Sequence, residues 1–381
     1  MCKSFRYYPI IIVCEIVLLF FQTNLGDAFL PVLKRQKLYC SSHWRMASHK
    51  ITLFSWQPGT NILSFDPSTL SSSNKTRPQL AKDIDYAEAI LKAWKEDIDK
   101  RTTQQRSICS PIEYRCNSND ETPLHGCIYR RPTAVDNSSV SPGLILFHTG
   151  AGPQDMFLRW KADSLVNDEK LFPEGCIVLV ADIIGDKYGW AWTNRTRYEA
   201  VRQSILIPDE KGERNELKCR VQAAINTLFE QPGVDTSRIA CLGFCMGGHP
   251  ILELARMKVP SVKALVTFHG VFDGVERLSN DIKSNNDDKM NTSKPNVLIC
   301  TGEDDPFVGK QDIIAAKTMF SDYGYNCRVL SFQKAKHGFT NPAQDFNPSD
   351  AFAFNEDACS QSWSTTRSLL KKTFQPPNFI V

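Results

Sequence analysis

The sequence predicts an α/β protein: a mostly parallel, doubly wound sheet with helices on both faces. Three observations lead there. From about Ile112 onward, short apolar runs recur at Gly143 to Phe147, Cys176 to Ala181, Ile239 to Leu242, Ala264 to Phe268, Val297 to Cys300 and Arg328 to Phe332. Continuous rather than alternating hydrophobicity is what a strand covered on both faces requires. Helical patterns separate several of these runs, at Asp155 to Asn167, at Glu213 to Phe229 with Leu217, Val221, Ile225 and Leu228 on one face, and at Gln311 to Tyr323. Such alternation implies parallel strands joined by helical crossovers. The third observation is Gly243-Phe244-Cys245-Met246-Gly247-Gly248, which joins the apolar run Arg238 to Leu242 to a helix-like pattern, Ile251 to Arg256. That is strand, tight turn and helix, with a reactive side chain at the apex.

Whole-chain properties bound the answer. At 381 residues and 42% hydrophobic content, the chain holds one large domain or two small ones with a sizeable core. The net charge of +3 is concentrated at the start, where residues 1–50 carry seven Lys or Arg against Glu15 and Asp27. The remainder is slightly acidic, so no basic surface for nucleic acid is expected. Neither Cys-x-x-Cys nor His-Glu-x-x-His occurs, and no structural zinc or other cofactor is expected. The thirteen cysteines lack framework spacing, and free thiols are expected. Four Asn-x-Ser/Thr sequons, at Asn74, Asn137, Asn194 and Asn291, are short enough to arise by chance.

Taken in order, residues 1–28 have signal-peptide form: Lys3 and Arg6, the apolar run Ile10 to Phe21, then Gly26 and Ala28 near a cleavage point. The run is short and interrupted by Glu15, so no stable membrane span is expected. Residues 29–76 begin basic and Ser-containing, with Lys34, Arg35, Lys37, Arg45 and Lys50, and continue as linker through Gln57-Pro58-Gly59 and Ser68 to Asn74. A signal peptide followed by transit-like composition is similar to a bipartite plastid presequence, and the alternative is secretion or residence in the ER lumen. Residues 77–108 form a helical extension, with Leu80, Ile84, Ala87, Leu91, Trp94 and Ile98 making an apolar stripe expected to pack on the domain behind it. The main folded domain is expected over 109–376. It opens with a hairpin of Ile112 to Cys116 and Cys127 to Arg130 around Pro123 and Gly126. No internal repeat is present.

The hexapeptide by itself is compatible with a nucleophile or with a buried structural cysteine. In a doubly wound sheet, reactive groups collect where loops leave the carboxyl ends of strands. After the strand ending in Cys300 comes Thr301-Gly302-Glu303-Asp304-Asp305-Pro306-Phe307-Val308, and after Phe332 comes Lys336-His337-Gly338-Phe339-Thr340. Nucleophile, acid and histidine therefore occur as Cys245, Asp305 and His337, the chain order of the α/β-hydrolase triad. Asp304 is the alternative acid, disfavoured by its spacing from Gly302 and by Pro306. A helix N-terminus and a neighbouring imidazole would activate the Cys245 thiol. His337 would move the proton and Asp305 would fix its tautomer. The oxyanion would be held by the backbone N–H of Met246 and one from the loop around Thr149 and Gly150. His148 either shapes that loop or is structural, and His249 and His269 read as structural histidines. Trp190 and Trp192 either line a substrate pocket or cover the core.

Gly-Phe-Cys-Met-Gly-Gly, Thr-Gly-Glu-Asp-Asp-Pro-Phe-Val and Ala-Lys-His-Gly-Phe-Thr-Asn-Pro closely resemble the dienelactone hydrolase family. Gln231-Pro232-Gly233-Val234-Asp235 and Phe268-His269-Gly270 also look like that family, and the similarity spans about residues 112 to 374. The resemblance implies an α/β-hydrolase fold and a thiol esterase acting on small esters or lactones. Two departures stand out. Bacterial members carry a glutamate after the strand equivalent to Gly143 to Phe147, where this chain reads His148-Thr149-Gly150-Ala151-Gly152. They also carry an arginine four residues after the histidine that grips a substrate carboxylate, where this chain has Asn341. Whether dienelactone itself is a substrate is therefore left open. A non-catalytic receptor or redox-responsive scaffold on the same fold is the competing expectation, and the oligomeric state is left open.

Overall fold

The structure, a computed structural model, describes residues 54–56, 63–65, 77–102, 106–116, 122–132, 140–186, 189, 195–278, 295–347 and 349–374. The segment expected as a presequence, the basic stretch to residue 50, Leu80 and Ile84 as side chains, and Trp190 and Trp192 lie outside it. All described residues belong to one compact unit, Leu53–Val381.

The runs read as buried strands are strands, extended at their ends: β5 (Ser141–Phe147), β6 (Ile177–Ala181), β7 (Val234–Phe244), β8 (Val262–Phe268), β9 (Asn296–Gly302) and β10 (Asn326–Phe332). Their neighbours pair in parallel in the order β10-β9-β8-β7-β5-β6. β3 (Ile108–Tyr114) and β4 (Leu124–Arg130) form the antiparallel opening pair, with β4 antiparallel to β6. Pro111 lies in the edge strand β3, where a missing backbone donor costs no ladder bond. β5 is buried at every position, whereas edge strand β10 alternates partly buried with exposed residues.

Helices cover both faces. α4 (Asn215–Phe229), α5 (Gly248–Met257) and α6 (Lys310–Asp322) share one apolar layer with Ile145, Phe147, Cys241 and Ile299. α1 (Arg77–Asp99), α2 (Met156–Val166) and α7 (Glu356–Phe374) share the other with Leu144, Leu146, Leu242 and Phe268. α3 (Arg195–Val201) runs into a π turn, Arg202–Leu206. Among the described residues no helix is long and apolar enough to cross a membrane.

Three local expectations need correction. The stripe of α1 is rotated: Ile90, Trp94 and Ile98 are buried, while Ala87 and Leu91 only flank them. Asp163 of α2 sets that phase, accepting from Trp94 Nε1 at 2.8 Å, pairing with Arg101 at 2.8 Å and accepting from Ser107 Oγ at 2.6 Å. The linker contains an antiparallel pair, β1 (Phe54–Trp56) with β2 (Leu63–Phe65), consistent with the apolar–Ser–apolar alternation of both strands. The third correction is α7, absent from the sequence reading. Its buried face is Ala358, Ser362, Thr366, Leu370 and Phe374, too polar to register as an apolar stripe.

β5 connects outward to β6, while β7 connects the opposite way to β8. The chain thus reverses direction between β5 and β7, and the carboxyl ends of these two neighbours form the switch point where α/β sheets place ligands. The loop His148–Gly152 leaves β5 there, and Cys245 leaves β7.

Candidate active site

Cys245 is the residue immediately after β7 and has φ 55°, a left-handed conformation that a non-glycine residue adopts only under constraint. The constraint is packing of glycine against backbone. A Cβ on Gly243 would come within 2.1 Å of the Gly247 carbonyl oxygen, and one on Gly247 within 2.6 Å of the Phe147 carbonyl oxygen. The turn can therefore close tightly against the end of β5. The Val271 N–H donates to the Cys245 carbonyl at 2.9 Å, tying the apex to the loop after β8. Cys245 itself is only partly buried, with α5 beginning three residues later.

Asp305 and His337 meet beside this apex. A Cβ on Gly302 would lie 2.1 Å from the Ala335 carbonyl oxygen, so glycine there lets the ends of β9 and β10 approach. Asp305 is buried, and its Oδ1 accepts from the Phe307 N–H at 2.9 Å, while Oδ2 faces His337 Nδ1 at 2.8 Å. Asp304, the alternative acid, points to solvent. Phe307, Phe352 and His269 surround the His337 ring at centroid separations of 5.0, 5.3 and 5.1 Å. Burial works against the imidazolium of His337. The Cys245 charge opposite it, and hydrogen bonds with Asp305 and Cys245, outweigh burial and push its pKa up to about 10. His269 moves the other way: burial, then the nearby His337 charge, hold it well below the ordinary histidine range. It is a neutral neighbour, with Nε2 3.1 Å from Thr340 Oγ1.

The loop after β5 is held from behind. His148 is fully buried, and as the Nδ1–H tautomer it donates to the Thr149 carbonyl at 2.6 Å while Nε2 accepts from the Ile183 N–H at 3.2 Å. The Thr149 carbonyl also accepts from the Gly152 N–H at 3.0 Å, and Thr149 Oγ1 accepts from the Ala151 N–H at 3.1 Å. Gly189, with φ 61°, lies so close that a Cβ would meet the Ala151 carbonyl carbon at 2.4 Å and the Gly150 oxygen at 2.6 Å. Met246, the residue after the apex, is wholly buried.

His249 lies away from this group, on the α5 face. It is fully buried, with Nε2 3.0 Å from Asp273 and Nδ1 3.3 Å from Arg214. Burial holds its pKa down, against the Asp273 hydrogen bond. Asp273, despite partial burial, is held at about 2 by His249 and Arg202. Asn341, four residues past His337, does not face outward: it is buried, caps the short turn Pro342–Phe346 through the Ala343 N–H at 3.0 Å, and donates to Tyr86 Oη at 3.0 Å. Tyr86, Asp155, Phe307 and Phe352 are the site neighbours that sequence reasoning missed. Only Asp155 carried a signal, as a capping residue before a helical pattern.

A family model, the dienelactone hydrolase family, matches residues 133–374. An uncharacterized Caenorhabditis elegans protein is 28% identical over 169 residues, 44% of this chain and 99% of that protein. A Bradyrhizobium protein named as a probable 2-oxo-3-(5-oxofuran-2-ylidene)propanoate lactonase is 24% identical over 151 residues, 40% of this chain and 57% of its own length. Among solved structures, a dienelactone hydrolase-like promiscuous phosphotriesterase from metagenomic libraries shares 25% identity at a TM-score of 0.53, covering 71% of this chain and 100% of its own. The protein m3DLH shares 26% at 0.55, covering 71% and 99%. The matched span exceeds half the chain and takes in Cys245, Asp305 and His337, so the chain belongs to the dienelactone hydrolase family.

Proposed function

We propose that this hydrolase cleaves small carboxylic esters or lactones through a Cys245–His337–Asp305 triad and a thioester acyl-enzyme. One observation carries the reading. His337 bonds Asp305 at 2.8 Å and reaches the thiol of Cys245, which stands at the left-handed apex of the β7–α5 turn. The thiol proton rests on His337, and the Cys245 thiolate attacks the substrate carbonyl carbon. The oxyanion that forms faces the backbone N–H of Met246 and one from the Thr149–Gly150 loop. Collapse of the intermediate expels the alkoxide, which leaves with the proton from His337, and the acyl group remains as a thioester. Water then attacks the thioester with His337 as base, returning the thiol and releasing the acid. Asp305, anchored by the Phe307 N–H, keeps the ring in register throughout.

A thiolate is itself a good leaving group from the tetrahedral intermediate. It partitions forward only when the departing group is at least as good a leaving group, which favours enol lactones, activated esters and thioesters over amides. The Bradyrhizobium relative's name supports the lactone part of this reading. A panel of p-nitrophenyl esters and enol lactones, run with the parent protein and Cys245→Ala, tests it. Turnover of activated esters that disappears in the variant is expected, and parent-level turnover by Cys245→Ala would overturn the assignment. The proposal extends to location: the leader delivers the chain to the secretory pathway and onward to a plastid. N-terminal sequencing of the mature protein decides this, because a start well beyond Lys50 is expected and a start at Phe29 would mean secretion.

A further inference from the structure

We infer that Tyr86, on a helix outside the family-matched span, is a positioning residue that ties the His337 loop to the loop holding the oxyanion. The inference rests on the triad reading above and adds a residue to it. Asn341 ends the segment that begins at His337, folded back by its own N–H to the Gly338 carbonyl at 2.9 Å. Its Nδ2 donates to the Tyr86 hydroxyl at 3.0 Å. The Tyr86 hydroxyl in turn donates to the Asp155 carboxylate. Asp155 is buried, caps α2 through the Phe157 N–H at 3.1 Å, and donates its own N–H to the Gly152 carbonyl of the oxyanion loop at 3.2 Å, with the Thr149 side chain beside its carboxylate. A single hydrogen-bonded path therefore runs from the acid–base loop to the oxyanion loop, and its middle member is supplied by α1.

The geometry suits positioning rather than contact with substrate. Asn341 and Asp155 are fixed by backbone bonds at either side, and the phenol spans the gap between them. Tyr86 sits one turn before Ile90, which is completely buried, and α1 is pinned further along by Trp94 on Asp163. Its hydroxyl thus carries the rigidity of a docked helix into both loops. Oxyanion donors and a general base must be held to within fractions of an ångström, and a misplacement of about 1 Å costs up to a hundredfold in rate.

The test uses full-length protein and p-nitrophenyl acetate, with Tyr86→Phe, Asp155→Asn and the double variant beside Cys245→Ala. Tyr86→Phe removes one oxygen and should lower kcat about tenfold with KM within about twofold of the parent. Asp155→Asn keeps the cap on Phe157 and should show a similar kcat loss, and it interrogates the same path should Tyr86→Phe unfold. The double variant should lose no more than the worse single, because both cut one path. A Tyr86→Phe enzyme with parent kcat, or one whose only defect is a lower melting temperature, overturns the inference, as do losses that multiply in the double. If Cys245→Ala is inactive while Tyr86→Phe is not impaired, this inference alone falls. If Cys245→Ala retains turnover, the triad reading falls first.

Discussion

Replacing Cys245 by Ala should shift the titration of a different residue, His337. In the parent, burial opposes the imidazolium, while the Cys245 charge and Asp305 favour it strongly enough to bring His337 to about 10. An opposite charge at contact distance is worth about 1–3 pKa units, or about 1.4–4 kcal/mol of interaction. Its removal should therefore bring His337 to between about 7 and 9, with burial and the 2.8 Å bond to Asp305 still acting. The sign is definite: the raised value keeps the ring protonated into alkaline pH, and loss of the thiolate moves deprotonation toward neutrality. Near pH 9 the parent ring is about ten parts protonated to one, whereas the variant ranges from about equal parts to about one in a hundred. Long-range 1H–15N spectra resolve the imidazole nitrogens directly, and the chain has only seven histidines to assign. A His337 midpoint that moves by less than about half a unit in Cys245→Ala would refute the thiolate–imidazolium pair. His269 supplies an internal reference, since it is held well below the usual range and should stay neutral in both proteins.

Asp305→Asn presents an amide N–H to His337 Nδ1 and favours the wrong tautomer, so kcat should fall by about 10³–10⁴-fold. Asp304→Asn, on the solvent side, should change it by less than about twofold. A large loss from Asp304→Asn with Asp305→Asn near the parent would move the acid to Asp304. Glu253→Ala tests stability instead: Glu253 pairs with Arg214 at 2.8 Å with both side chains 1% exposed, and also with Arg256 at 3.2 Å. Arg256 keeps Glu213, but stranding the buried Arg214 guanidinium should cost about 3–5 kcal/mol in urea unfolding with an unchanged m-value, and a loss below about 1 kcal/mol would show the pair to be dispensable.

Much of the fold was legible because parallel strands buried on both faces must be continuously apolar, as at Leu144 to Phe147 and Ile239 to Leu242. The glycines were legible for a similar local reason. Gly243, Gly247 and Gly302 stand where any Cβ would strike backbone within 2.1 to 2.6 Å. The ends of the strands were less so, since pairing with neighbours lengthens β7 back to Val234 and β3 back to Ile108. α7 escaped notice because Ser362 and Thr366 satisfy their hydroxyls on the helix's own carbonyls and so can be buried without an apolar signature.

The amino-acid order alone determined that Cys245, Asp305 and His337 follow three separate strands. Continuous apolarity of a buried strand and turn chemistry are local properties that near neighbours dictate. The spacing already favoured Asp305 over Asp304, but only the tertiary structure shows that the β9 and β10 ends bring the Asp305 carboxylate to 2.8 Å of the His337 imidazole. It alone decided that α1 buries Ile90 and that Tyr86 meets Asn341, 255 positions away. Helical periodicity defines a stripe but not its partner. The phase of α1 is set by a buried carboxylate on α2, and no stretch of sequence contains both sides of that contact.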